Sequence, residues 1–214
     1  INNPLATIAA CAEALEQRVD EGEFAAYEAE ADLSEYLRLI KDEAFRCKSI
    51  TTGLLDFSRV RTGTRHPLDV REIIKSSAKL LSHQKRGGKI DIHVETGDEP
   101  PMVNADGGQL QQAVIALATN AIDAMPDGGT LTFRAFPERH RVAIEVEDTG
   151  IGIPTEDLSK VFEPFFTTKE VGKGTGLGLA VCYGIITDHG GRVSVRSNPG
   201  KGTKFSISLP ISEA

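Results

Sequence analysis

Apolar positions in the first sixty residues recur at steps of four and three. Ile1, Leu5, Ile8, Ala12, Leu15 and Val19 form one run; Leu33, Leu37, Ile40, Ala44, Cys47, Ile50, Leu54 and Phe57 form a second, longer one. This is the spacing of a coiled-coil seam, and it predicts two amphipathic helices. At about 1.5 Å per residue, a helix from Leu33 to Val60 reaches roughly 42 Å. The stretch from Asp20 to Asp32 is acidic and poor in branched aliphatics, so it holds a hairpin turn or extends either helix. A lone helical pair leaves apolar surface in water. Pairing with a second copy into a four-helix bundle covers it, which predicts a homodimer.

The period then changes. Arg61 to Pro67 (RTGTRHP) carries Gly63 and Pro67 and reads as a linker. Asp69 is placed to cap a helix bearing Val70, Ile73, Ile74 and Leu81. Ile90, Ile92 and Val94 alternate as a strand does, as do Leu131, Phe133 and Ala135, and Val142, Ile144 and Val146. A helix with Leu110, Val114 and Leu117 falls between the first two of these. Asp127-Gly128-Gly129 and Asn198-Pro199-Gly200 mark turns, and Phe205, Ile207 and Leu209 close the chain as a last strand. Helices among hairpin-like strands predict an α/β sandwich with a mixed or antiparallel sheet.

Composition narrows the partners. A formal charge of −7 over 214 residues gives no electrostatic reason to expect nucleic acid. No apolar run approaches the roughly 18 residues of a membrane helix, and no signal segment opens the chain, so this stretch is expected to be soluble, without membrane contact. Cys11, Cys47 and Cys182 are odd in number and lack CxxC spacing. They read as small buried hydrophobes in a reducing compartment rather than as a disulfide or zinc framework.

Three segments carry candidate chemistry. Gly172 to Leu179 (GKGTGLGL) has glycine at 172, 174, 176 and 178, which lets backbone N–H groups approach a ligand without Cβ atoms in the way. A helix beginning there would point its positive end at a phosphate; the run reads equally as a surface loop. In VEDTGIGIP, Asp148 stands at a strand exit before Gly150 and Gly152. A carboxylate there accepts a hydrogen bond from an exocyclic amine such as adenine's, or it merely opens an Asp-x-Gly turn. Asn120 lies late in an apolar helix, where its amide either makes a helix-interior hydrogen bond or aims its oxygen at phosphate-bound Mg²⁺.

The order of these segments raises their specificity. An Asn-bearing helix, a strand with DxGxG, an aromatic segment FEPFFTTK (Phe162 to Lys169), GxGxGLGL and GGRVSVRSNPGKGTKFSISLP together resemble the catalytic domain of sensor histidine kinases, a member of the GHKL or Bergerat-fold ATPases. INNPLATI resembles the tail of the kinase H box, and GLLDFSRV at 53–60 the end of the second dimerisation helix, so the resemblance covers nearly the whole chain. It implies an α+β chain: a dimerisation and phosphotransfer hairpin over 1–62, a linker over 63–67 and a catalytic sandwich of Bergerat type over 68–214. It implies ATP and Mg²⁺ as cofactors and a response-regulator receiver domain as partner. By position, Asn120 matches the Mg²⁺ ligand and Asp148 the adenine-recognising aspartate, with Gly150 and Gly152 shaping the purine pocket. Phe162, Phe165 and Phe166 match the aromatic box; Gly174, Gly176 and Gly178, with Leu177 among them, match the glycines around the triphosphate. Thr203 matches a threonine near the adenine. Lys169 and Lys173 are placed where a lid cation meets phosphate oxygens, or are ordinary solvated lysines.

Two departures bear on activity. The family pattern puts the phosphate-accepting histidine two positions before Ile1 and its neighbouring acid one position before, so these residues are expected to bind nucleotide without carrying the usual acceptor, as a fragment would. Ala116 stands four residues before Asn120, where hydrolytic relatives place a general-base glutamate; a methyl group cannot activate water, which favours phosphoryl transfer. None of His66, His83, His93, His140 and His189 has an adjacent carboxylate, and all five read as bland surface residues. Asn3 completes an HExxN pattern whose amide, by the resemblance, orients the water that removes phosphate from the receiver; alternatively it supplies helix N-terminal polarity beside Pro4. The competing readings are an ATPase of the chaperone or repair type and a non-catalytic dimeric module that only senses nucleotide.

Overall fold

The computed structural model describes residues 2–20, 33, 35–44, 47, 51, 64–82, 90–97, 102–169 and 174–212. Contacts divide the chain into Ile1–Arg59 with Thr167–Thr175, and Val60–Phe166 with Gly176–Ala214.

In the first unit, helix α1 spans Asn2–Asp20. Residues 33, 35–44, 47 and 51 are also helical, as the second apolar run predicts. The hairpin turn expected within 20–32 falls, beyond Asp20, outside the described residues. Ile8, Leu15, Leu33 and Ile40 are half-buried, whereas Leu5 and Leu37 are 50% and 52% exposed.

The second unit is built around a sheet. In chain order its elements are β1 (His66–Asp69), α2 (Val70–Ser82), β2 (Ile90–Thr96), β3 (Met102–Ala105), α3 (Gly107–Asp123), β4 (Gly129–Glu138), β5 (Arg141–Asp148), α4 (Gly178–Asp188), β6 (Arg192–Asn198) and β7 (Gly202–Pro210). Five strands order as β2-β4-β5-β7-β6, while β1 and β3 form a separate antiparallel pair. β2 runs parallel to β4 and every other pairing is antiparallel, so the sheet is mixed.

Alternation decides which face is covered. Leu131, Phe133 and Ala135 on β4, Val142, Ile144 and Val146 on β5, and Phe205, Ile207 and Leu209 on β7 join one core with Ile74 and Leu81 of α2, Leu110, Val114 and Leu117 of α3, and Ile185 and Ile186 of α4. The intervening residues carry charge. Arg134 pairs with Glu95 at 2.7 Å and with Glu147, and Lys204 pairs with Glu145 at 3.1 Å, on the side away from the core. The result is a two-layer sandwich of helices on one sheet face.

Local chemistry sets the helix starts. Asp69 Oδ1 accepts from the Arg71 N–H at 2.8 Å, the cap expected from sequence. Asp106 does the same for α3, accepting from Gln109 N–H at 3.1 Å. Both predicted turns are present, between α3 and β4 and between β6 and β7.

Three strands were not foreseen. His66 and Pro67, expected in the linker, form the start of β1, where His66 pairs with Ala105 and Pro67 with Asn104. β1 and β3 have four residues each, too short for alternation to show. β6 is a sheet edge whose Val193 and Val195 are only half-buried, so its pattern is weak. The histidine reading also needs correction at one position. His66, His93 and His140 are exposed as expected, and His83 lies outside the described residues, but His189 is 6% exposed. Its Nδ1–H donates to Ile185 O at 2.8 Å and its Nε2 accepts from the Asp106 N–H at 3.1 Å. The ring joins the end of α4 to the cap of α3 because both of its nitrogens find backbone partners.

Candidate nucleotide site

α3 and β5 end beside one another. The Ala124 N–H, just past α3, donates to Asn120 O at 3.0 Å, and Ala124 O accepts from the Ile151 N–H at 3.0 Å. A Cβ on Gly150 would stand 2.4 Å from Ala124 O, so only glycine lets the DxGxG segment lie this close to the helix end. Gly152 has φ +73, and a Cβ there would stand 2.3 Å from Asn198 O, which seats the same segment against the β6–β7 turn.

Asp148 is 4% exposed at the end of β5. Its Oδ1 accepts from the Gly150 N–H at 2.8 Å and from the Thr203 N–H at 3.2 Å. Among the described residues its Oδ2 takes no hydrogen bond, leaving acceptor capacity for a ligand donor. Burial pushes this carboxyl above the usual aspartate range; the two N–H bonds oppose the shift and Glu147 adds to it. Thr203 lies directly across from Asp148 in the β5–β7 register and is itself 4% exposed.

Asn120 is half-buried on α3, and a Cβ on Gly178 would lie 3.9 Å from its Nδ2. The first turn of α4 is therefore beside the Asn120 amide. Leu177, at the cap position of α4, makes no side-chain cap bond, since leucine has no acceptor. Ala116, one turn earlier on α3, is half-buried and apolar.

The aromatic residues separate by role. Phe162 packs on Tyr183 of α4, with centroids 5.6 Å apart, and on Phe205 of β7 at 6.2 Å. Phe165 is 59% exposed and has φ 69, a left-handed backbone that a bulky residue adopts only where its surroundings impose it. Its N–H donates to Gly176 O at 2.9 Å, and a Cβ on Gly176 (φ +66) would stand 2.4 Å from Phe165 C. Phe166 is half-buried and donates from its N–H to Glu163 O at 3.2 Å.

Asn120, Asp148, Gly150, Gly152, Phe162, Phe165, Phe166, Gly176, Leu177, Gly178 and Thr203 thus belong to one unit, joined by these contacts. Lys169 and Gly174 group with the other unit, where the Lys169 N–H donates to Thr167 Oγ1 at 3.2 Å. Lys173 lies outside the described residues. Asn3 is in the first turn of α1, and its side chain is likewise outside them. Sequence reasoning missed Ser197. Its Oγ accepts from the Ile153 N–H at 2.8 Å, donates to Gly202 O at 2.9 Å and lies 2.9 Å from Thr203 Oγ1. The only signal was its place in RSNPG, where a serine passes as turn chemistry.

Cys182 is fully buried and its thiol is pushed up to about 12 by burial; Cys11 is buried, Cys47 is half-buried, and no disulfide joins the three.

Comparison with known proteins agrees with this architecture. Residues 105–213 match the family described as histidine kinase-, DNA gyrase B-, and HSP90-like ATPase, and residues 1–63 match the His Kinase A (phospho-acceptor) domain. The sensor kinase CckA of Brucella abortus is 45% identical over 186 residues, 80% of this chain and 20% of that protein. The sensor histidine kinase ZraS of Escherichia coli is 31% identical over 99% of this chain and 43% of its own length. The chain thus spans less than half of either relative. The crystal structure of histidine kinase ThkA in complex with response regulator protein TrrA aligns with a TM-score of 0.75 and 27% identity, covering 99% of this chain and 59% of that one. The chain belongs to the histidine kinase-, DNA gyrase B- and HSP90-like ATPases, and the phospho-acceptor module ahead of that domain makes it a sensor histidine kinase transmitter core.

Proposed function

We propose that the second unit binds Mg·ATP and that the γ-phosphoryl group passes to a histidine just ahead of Ile1, then to an aspartate of a receiver domain. The supporting observation is Asp148: buried, with Oδ1 held by two backbone N–H groups and Oδ2 open to a donor, beside a helix end that bears Asn120 and faces the α4 N-terminus. Asp148 Oδ2 accepts from the adenine amine and fixes the purine. The first-turn N–H groups of α4 hold phosphate oxygens, with the positive end of the helix dipole behind them. Asn120 fits Mg²⁺ because its amide oxygen is a hard donor on a side chain that lies beside the first turn of α4. One side chain would suffice to hold it, since the remaining ligands of such an ion would be water and phosphate oxygens. When bound, the ion neutralises charge on the phosphates. Ala116 supplies no base, so water at this position is not activated and the phosphoryl group is kept for the imidazole. In the transfer, the bond from the imidazole nitrogen to phosphorus forms as the bond from phosphorus to the bridging oxygen breaks, and ADP leaves.

The exposed Leu5 and Leu37 of the helical unit support homodimerisation through the hairpin, and the ThkA–TrrA likeness supports a receiver partner. Asn3 is proposed to orient the water that dephosphorylates the receiver. The test is isotope transfer from labelled ATP, using the chain extended upstream through the acceptor histidine. Label that appears on the protein and leaves for a receiver supports the kinase; nucleotide binding without label overturns it. In the same protein, Asn3→Ala should slow receiver dephosphorylation and spare autophosphorylation, and unchanged dephosphorylation would remove the phosphatase role.

A further inference from the structure

The five-stranded sheet has two open edges, and they differ in charge. β2 and β6 are its terminal strands, and among the described residues neither pairs on its outer side. Each has seven residues, roughly 23 Å at about 3.3 Å per residue. Each keeps an unbroken register with its inner neighbour and contains no proline, so neither edge is blunted by a bulge or a break. On the face away from the core, β6 carries Arg192, Ser194 and Arg196, and β2 carries Asp91, His93 and Glu95; all six are exposed. On the core side, Val193, Val195 and Ile92 are half-buried and Val94 is 37% exposed. Glu95 pairs with Arg134, but among the described residues Asp91, Arg192 and Arg196 take part in no ion pair.

The two edges read as complements: Arg-Val-Ser-Val-Arg over 192–196 and Asp-Ile-His-Val-Glu over 91–95. Traced through the strand pairings, β2 and β6 run in opposite directions. A second copy in the same orientation therefore brings its β2 antiparallel to β6 and continues both layers of the sandwich. One register sets Arg192 opposite the second copy's Glu95, Val193 opposite its Val94, Ser194 opposite its His93, Val195 opposite its Ile92 and Arg196 opposite its Asp91. Like edges do not fit. Two β6 strands gather four arginines on one face, and two β2 strands gather four carboxylates. We propose that β6 docks the β2 edge of a second copy, extending the sheet head to tail in addition to any contact through the helical hairpin. Main-chain hydrogen bonds along the edge supply the attachment, and the facing charges select partner and register. The contact is heterologous, so it propagates instead of closing on a two-fold axis. A single strand pair is smaller than a stable interface, so the association belongs to high local concentration.

Sedimentation equilibrium over rising concentration, at low and high salt, tests this with the chain itself and its charge-reversed variants. The unaltered chain should show mass beyond a dimer that grows with concentration and falls with salt. Arg196→Glu and Asp91→Lys should each weaken that association roughly ten-fold, because each sets like charges opposite one another. Mixing the two variants, or joining both substitutions in one chain, puts opposite charges back in register and should restore it. The doubly substituted chain keeps the net charge of the unaltered one, so its recovery reports the pairing and not the overall charge. Both side chains are exposed, and coincident melting curves would show that folded chains are being compared. A chain that never exceeds a dimer overturns the proposal. Association that survives the single substitutions, or a loss that neither the mixture nor the double substitution reverses, overturns it equally.

Discussion

Asp148 sets its function against its stability. Burial holds its pKa above the ordinary value, so the folded chain binds its proton more tightly than the unfolded chain does. That contribution is fully present below the unfolded pKa and is lost as pH rises through the folded one, so at neutral pH the ionised carboxylate is a cost to the fold. Asn keeps the acceptor for the Gly150 and Thr203 N–H groups but cannot ionise. Asp148→Asn should therefore melt higher than the unaltered protein at neutral pH, with the gain shrinking on acidification, while binding ATP roughly ten- to hundred-fold more weakly because the charged acceptor is gone. In the unaltered protein, nucleotide affinity should fall as pH drops through the Asp148 pKa; in the Asn variant that component of the pH profile should be absent. Melting and calorimetry across pH check both. Asp148, Asn120 and Thr203 were legible because each sits in a short motif of unusual chemistry. Ser197 and His189 were not: their roles arise from backbone groups 5 to 83 residues away, at Gly202, Ile153 and Asp106, which no local pattern reveals.

At the level of elements, the site rests on places where the backbone allows no side chain. Gly176 and Phe165 are both left-handed and their main chains touch. Gly176→Ala should cost about 1–3 kcal/mol, from the conformation and the collision together. Gly200→Ala makes the control: its φ is +75 but a Cβ there meets nothing within 4 Å, so it should cost only the conformational part, about 1 kcal/mol. Equal losses in denaturant melts would mean that the Phe165 contact is unimportant. The long elements were readable from sequence because their apolar residues repeat over several turns or along a whole strand, as on α3 and β5. β1, β3 and β6 escaped notice because two are four residues long and the third is a half-buried edge. The parallel pairing of β2 with β4 escaped notice for another reason: register between distant segments is set by what the sheet and helices bury together, not by either strand alone.

For the whole molecule, the helical unit and the nucleotide unit make separate demands. Leu5 and Leu37 repeat along the predicted seams yet remain about half exposed in one chain, which is what a surface awaiting its partner looks like. Leu37→Glu should convert a dimer into a monomer in sedimentation equilibrium without unfolding the sheet unit; a variant that stays dimeric would place the dimer contact elsewhere. In the other unit, Asn120, Asp148 and the start of α4 are proposed to hold one purine triphosphate with its metal. Titrating a non-hydrolysable ATP analogue with magnesium into the unaltered chain and into Asp148→Ala measures it most directly. Saturable binding at one site per chain that disappears in the variant is the expected result. No binding to the unaltered chain, or equal binding to both, would contradict it.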